Sequence, residues 1–418
     1  MSALRAYRAL PAASGVWFLV VALLGRLPSA MSQIGSLLLV SHTTGSLAAG
    51  GASAATLALG QAIGGPVVGR LADRTGHRTV GAVIAVLQVI AIVGLVALAN
   101  ADAALPAVLA SGFVVGLTVP QIGPLARARW SGLIACGRAP ASVFGTAMSY
   151  EGAVDETTYV LGPALVGVVV AVYSPQAAML LAAALTAVFA LAFALHPTAS
   201  LVPHHDDITD APLERERDVP SLLLLSLILL CVGCFFASVQ AGVTSIAISS
   251  GSEGSAGIIY GVMGLTSATA GLLTPVLPQR FQLPARLTGF LCLLLLFVTP
   301  LVAIGATGSL SLVALGLAVA LAGVAVAPSL ITAFSLGERT VSPSQVSWAM
   351  TMLSSGIVLG YAIAALTAGI LAQQHGAIGA FSVTFGAVVT GALLSVLGRR
   401  RFTALVTRET STERLIWT

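Results

Sequence analysis

SVFGTAMSYEGAVDETTYVLGPALVGVVVAV, residues Ser142 to Val172, is an apolar stretch with three acids in its middle. At about 1.5 Å per helical residue it is long enough to cross a bilayer. Glu151 and Asp155 stand four apart and share one helix face, whereas Glu156 points roughly 100° away. A carboxylate at that depth costs on the order of a few kcal/mol and persists only where it faces a protein interior or a watery cavity. Two roles fit: an ion-pair network that locks helices together, or a site that exchanges protons or another cation. The second is the expectation carried forward.

The rest of the chain has the same character. Of 418 residues, 57% are hydrophobic and 8% charged, which excludes a soluble globular class. About twelve apolar spans succeed one another, predicting an all-α membrane protein, since a spanning helix satisfies its own backbone inside lipid. All 19 basic residues are arginine. Alternating the spans puts Arg5, Arg8, Arg70, Arg74, Arg78, Arg127, Arg129, Arg138, Arg215, Arg217, Arg280, Arg286, Arg339 and the tail arginines on one side. The opposite loops, near His42, Asp102, Ser174, Glu253, Thr307 and His375, contain no arginine. The positive-inside rule then predicts a cell-membrane protein, inner or plasma, with both termini in the cytoplasm. The net charge of +4 expresses topology, not a nucleic-acid partner. Cys136, Cys231, Cys234 and Cys292 fall in or beside apolar spans and imply no disulfide framework; Cys231 and Cys234 form a C-x-x-C with no second ligand pair.

The run beginning near Gly15 continues past Arg26 to about Val40 and reads as an uncleaved first span. Arg26 lies too deep to reach the surface easily and is expected to be the lone basic residue inside any span. With spans 1 and 5 both starting at the cytoplasmic face, Arg26 lies about 15 Å deep and the acids about 12 to 20 Å deep. One guanidinium therefore reaches one or two of the carboxylates. Span 4 is read from Ala104 to Leu125, with Arg127, Arg129 and Arg138 in the loop after it. Residues 198–220 form a polar linker between bundles at 1–197 and 221–398, and 399–418 form a basic tail. The linker's His204, His205, Asp206 and Asp207 read as a solvated run, so no metal and no cofactor is expected. A shift of 202 positions matches Ala147-Met148 with Ala349-Met350, Tyr159 with Tyr361 and Gly167 with Gly369. Glu151, Asp155 and Glu156 fall on Leu353, Ile357 and Val358, so the acids have no second-half counterpart.

After the second span the chain reads GRLADRTGHR, Gly69 to Arg78. This resembles the signature of the major facilitator superfamily, G-x-L-a-D-r-x-G-r-[rk], matched at Gly69, Leu71, Asp73, Arg74, Gly76 and Arg78, with His77 in place of the usual basic residue. Physically, Gly69 permits close helix contact, Gly76 a tight turn, and Asp73 a pairing with an arginine or a helix N-terminus. The resemblance covers the whole chain. It implies twelve transmembrane helices in two pseudo-symmetric six-helix bundles, transport by alternating access, and a conformational latch at Gly69, Asp73, Arg74, Gly76 and Arg78. Gly162, Pro163 and Gly167 are similar to the superfamily's antiporter motif, G-P-x-x-G-G, with Val166 departing from it. Pro163 bends the helix, and the glycines imply packing against helix 8. The family's mid-span-4 arginine has no match between Phe113 and Leu125, and Arg26 is expected to serve instead.

Three acids against one arginine cannot all stay ionised cheaply in a low dielectric, so at least one is expected to bind and release protons. Asp155 and Glu151 are the expected carriers, Arg26 their counter-charge, and Glu156 a structural residue. The functional expectation is a proton-coupled secondary transporter, a monomer that exports a small amphipathic drug or metabolite in exchange for H+. The alternative is proton-coupled uptake of a small polar solute such as a sugar or an organic acid. Gln33, Gln121, Tyr150, Phe236, Gln240, Trp348 and Tyr361 are candidates for the solute cavity. No P-loop, metal-ligand helix or activated nucleophile is present, which argues against an enzyme and against ATP-driven transport. A non-transporting sensor on the same fold is the remaining class.

Overall fold

The computed structural model describes residues 3–140, 143–201, 218–274, 281–308, 311–341 and 346–416. The side chains of 1–7, 73, 144–145, 149, 156, 272, 346–348, 351 and 407–416 lie outside that description. The described chain is helical throughout, with no strand. The helices in order are α1 (Ala3–Ser14), α2 (Val16–Thr44), α3 (Leu47–Thr75), α4 (His77–Asn100), α5 (Leu105–Leu117), α6 (Ile122–Ala135), α7 (Phe144–Val172), α8 (Pro175–Leu185) and α9 (Leu191–Leu195). The second half holds α10 (Val219–Ser249), α11 (Ser255–Leu273), α12 (Leu283–Thr307), α13 (Leu312–Glu338), α14 (Val346–His375) and α15 (Ala377–Ile416). Among the described residues, eleven stretches are long and apolar enough to cross a membrane, with α5 and α6 counted as one. The 19-residue α11 stands where the remaining expected span was placed.

Backbone contacts divide the chain into two compact units, residues 1–45 with 56–210, and 46–55 with 211–418. In the first, α3 and α5 touch backbone to backbone: a Cβ on Gly60 would lie 2.1 Å from the Phe113 carbonyl oxygen, and one on Gly116 1.9 Å from that of Leu57. Small residues are what let transmembrane helices approach so closely. In the second unit α10 and α14 do the same, Gly360 against the Leu230 carbonyl and Gly233 against that of Ile357.

Three local features depart from expectation. An additional helix, α1, precedes the first span, with Leu10 buried in the core beside Phe18 and Trp130. Helix α15 continues for 40 residues, so the expected tail from 399 onward is helical to Ile416. Span 4 does not end near Leu125 but breaks and resumes. Pro120 has no N–H to offer and disfavours helix in the residue before it. Side chains close the gap: Thr118 Oγ1 donates to the Val114 carbonyl at 2.8 Å, and Gln121 Nε2 to that of Val119 at 3.0 Å. The fully buried Gln88 amide donates to Thr118 Oγ1 at 2.6 Å and to the Val115 carbonyl at 2.8 Å. Helix α6 then carries the span on to Ala135.

Candidate functional site

That continuation changes the charge content of the first unit. Arg127 and Arg129, expected in a loop, lie on α6, which belongs with α5 to one stretch long and apolar enough to cross a membrane. The energetic objection to charge in lipid is met by partners that only the packed helices supply.

Helix α2 brings Arg26, α6 brings Arg127 and Trp130, and α7 brings Glu151 and Asp155 to one place. Arg26 Nη2 donates to Glu151 Oε2, and its Nε stands 3.4 Å from Asp155 Oδ1. Arg127 Nη2 donates to Asp155 Oδ2 at 2.5 Å, and the Trp130 indole N–H donates to Glu151 Oε1 at 2.7 Å. Glu151 is fully buried and Arg26 is 5% exposed, whereas Asp155 and Arg127 are 32% and 37% exposed. Gly123 on α6 lies against the cluster: a Cβ there would be 3.4 Å from Asp155 Oδ1 and 3.5 Å from both Arg127 Nη1 and Arg26 Nε.

Neighbouring contacts hold α2 in position. A Cβ on Gly25 would lie 3.4 Å from Ala190 Cα, in the π-helical turn Thr186–Ala190 that joins α8 to α9. One turn beyond Arg26, Gly162 of α7 packs on α2, where a Cβ would come within 2.7 Å of the Ala30 Cβ. Gly162 therefore serves the α2–α7 contact that places Asp155.

Arg129, one residue from Trp130, faces elsewhere. Fully buried, it donates from Nη1 to the Phe193 carbonyl at 2.6 Å and stacks over the Phe193 ring at 3.8 Å. Phe18 packs edge-on against Trp130, with centroids 5.6 Å apart, and 5.6 Å from the His196 ring. His196 Nδ1 pairs with Thr198 Oγ1 at 3.0 Å. Burial, and then the charge of Arg129, hold the His196 imidazole below its ordinary pKa.

The expected site residues are thus partly assembled. Arg26 meets both Glu151 and Asp155; the side chain of Glu156 lies outside the description. Sequence reasoning missed Trp130 and Gly123 and placed Arg127 in a loop. The one available signal was the i, i+3 spacing of Arg127 and Trp130, which puts both on one helix face. In the signature loop Gly76 has φ +98°, the turn expected of it, while a Cβ on Gly69 would meet nothing within 4 Å. Arg70, Arg74 and Arg78 are exposed, and the Asp73 side chain lies outside the description. Of the cavity candidates, Gln33 pairs with Gln61 at 3.4 Å, Gln121 is used in the span-4 break, and Tyr150 adjoins Glu151 in the first unit. In the second, Tyr361 donates to Gln240 Oε1, and the Phe236 carbonyl accepts from Tyr260 at 3.3 Å. The Trp348 side chain lies outside the description.

The model of the Major Facilitator Superfamily matches residues 13–341. The chain belongs to that superfamily. It is accordingly a multi-pass membrane transporter and not an enzyme. Solved structures of the same fold include the nucleoside transporter NupG, at TM-score 0.67 and 15% identity over 94% of this chain and 98% of that one. A bacterial homologue of the iron transporter ferroportin, inward-facing, has TM-score 0.66 and 17% identity over 91% and 98%. A D-xylose–proton symporter has TM-score 0.61 and 17% identity over 91% and 96%. No curated protein matches the chain in sequence.

Proposed function

We propose that this superfamily member is a proton-coupled secondary transporter working by alternating access, with Asp155 as the group that takes up and releases the proton. The observation that carries this reading is the contrast between the two carboxylates. Glu151 is sealed, gripped by Arg26 and Trp130, and has no exposed surface. Asp155 is 32% exposed, and on this reading that open face is where the proton arrives. Glu151 is then the fixed anion that holds Arg26, and Arg26 and Arg127 are the counter-charges of the carrier.

Export of an amphipathic solute in exchange for H+ requires a solute that competes with the proton at Asp155. Uptake together with the proton is the second reading, and Arg127 favours it: protonating Asp155 releases a part-exposed guanidinium that can then hold solute. The solved structures of this fold, a nucleoside transporter, a bacterial homologue of the iron transporter ferroportin and a D-xylose–proton symporter, select no one solute.

The test is flux in proteoliposomes under an imposed pH gradient, with labelled solutes of several classes. Asp155→Asn is expected to abolish gradient-driven flux while the protein stays folded, and flux equal to wild type rejects the assignment. The direction of movement separates exchange from co-transport; a sensor binds solute without moving it. The signature loop is read as the latch between access states, so Asp73→Asn is expected to slow their exchange more than it weakens solute binding.

A further inference from the structure

The charge balance of the cluster points to the class of solute, on the reading that Asp155 carries the proton. With both carboxylates ionised, the four described side chains sum to zero: Arg26 and Arg127 against Glu151 and Asp155. A proton on Asp155 leaves them one positive charge in excess. Arg26 is 5% exposed and Glu151 fully buried, so the excess sits where water screens it poorly. Donors then come free on two guanidinium groups. Arg127, 37% exposed, loses its carboxylate. Arg26 Nη1, already without a hydrogen-bond partner among the described residues, stays unpaired, and Arg26 Nε loses the charge 3.4 Å away.

We propose that a small organic monoanion, bound through its carboxylate by Arg127 and Arg26, enters this site together with the proton. The anion restores neutrality, which a neutral solute does not do and a cation makes worse. Guanidinium groups suit the task because their planar donors match a carboxylate with two hydrogen bonds. Each ligand then raises the affinity of the other by the same factor, and the loaded site carries no net charge. One proton accompanies one anion, so transport is electroneutral and indifferent to membrane potential. Among the described residues, the ionisable groups near Asp155 are Arg26 from α2, Arg127 from α6 and Glu151 one turn earlier on α7. Helix α8 has none in its sequence, and Arg8 of α1 is exposed. Trp130 and Tyr150 adjoin Glu151.

The experiment is binding of lactate, benzoate and D-xylose to the purified full-length protein, followed by thermal shift in an acidic and in a mildly alkaline buffer. Wild type is expected to bind at least one monocarboxylate tenfold or more tighter at the lower pH, and not D-xylose. Asp155→Asn, neutral like the protonated acid, is expected to bind it equally at both. Arg127→Gln is expected to lose it at both. Gradient-driven flux that depends on Asp155, with neither monocarboxylate bound or with binding untouched by Arg127→Gln, overturns the anion site and leaves proton coupling standing. Monocarboxylate binding that ignores pH in wild type yet needs Arg127 overturns the coupling instead. Should Arg127→Gln fail to fold, Asp155→Asn decides alone: retained binding without pH dependence is the expected result, and unchanged pH dependence overturns the proposal.

Discussion

Arg127 on α6 holds Asp155 on α7 at 2.5 Å, on the oxygen opposite to the one that Arg26 approaches at 3.4 Å. Asp155 is therefore a bridge between two cations, whereas Glu151 is enclosed by one cation and an indole. The two carboxylates differ in exposure, and their substitutions should differ in consequence.

Glu151→Gln is expected to cost about 3–5 kcal/mol of stability, the usual loss when one partner of a buried ion pair is removed. Asp155→Asn, at a part-exposed and solvent-screened pair, is expected to cost no more than about 1 kcal/mol. Denaturation of the two variants in the same detergent measures both. Equal losses would contradict the division between a fixed and an exchanging acid.

Trp130→Phe removes the indole N–H from Glu151 Oε1 and keeps an aromatic ring beside Phe18. A hydrogen bond to a buried charge is worth about 1.5–3 kcal/mol, and a loss of that size is expected in the melting curve. If Trp130→Phe costs nothing in a Glu151→Leu background, which removes the acceptor, the loss belongs to this bond; a cost that persists there assigns Trp130 to packing alone.

Gly116→Ala places a Cβ where the Leu57 carbonyl oxygen is only 1.9 Å away, so α3 and α5 must separate. Overpacking of this kind costs about 1–3 kcal/mol. Gly94→Ala, mid-helix in α4 with nothing within 4 Å of the added carbon, is expected to stabilise by about 0.5–1 kcal/mol. Thermal melts of the pair test whether the close approach of α3 and α5 holds in the membrane protein.

His196 links stability to pH. Its pKa is depressed in the folded protein by burial and by Arg129, so between the folded value and the unfolded value near ~6.5 the unfolded chain binds more protons. Its contribution is whole above the unfolded value and lost as pH falls through the folded one. Protonation also takes the Nδ1 lone pair that faces the Thr198 backbone N–H at 3.3 Å. The melting temperature is expected to fall on acidification more steeply in wild type than in His196→Asn; parallel slopes would remove His196 as the cause.

The family and the ladder of apolar spans were legible in the residues themselves. So was the pairing of Arg26 with helix α7, because depth along a helix follows from counting residues and the i, i+4 rule puts Glu151 and Asp155 on one face. The extent of span 4 was not. Read alone, arginines at 127 and 129 mark the end of an apolar run, since isolated charge in lipid is costly. Tertiary packing reversed that sign by supplying Asp155 to one arginine and the Phe193 carbonyl and ring to the other.

What the sequence by itself determined is a chain that must cross a membrane repeatedly, with acids in the first half that have no second-half counterpart. Those follow from hydropathy and period, properties each segment carries alone. Which acid is sealed and which stays part-exposed was decided only when α2, α6 and α7 came together around Gly123, because exposure and charge balance belong to neighbours on different helices.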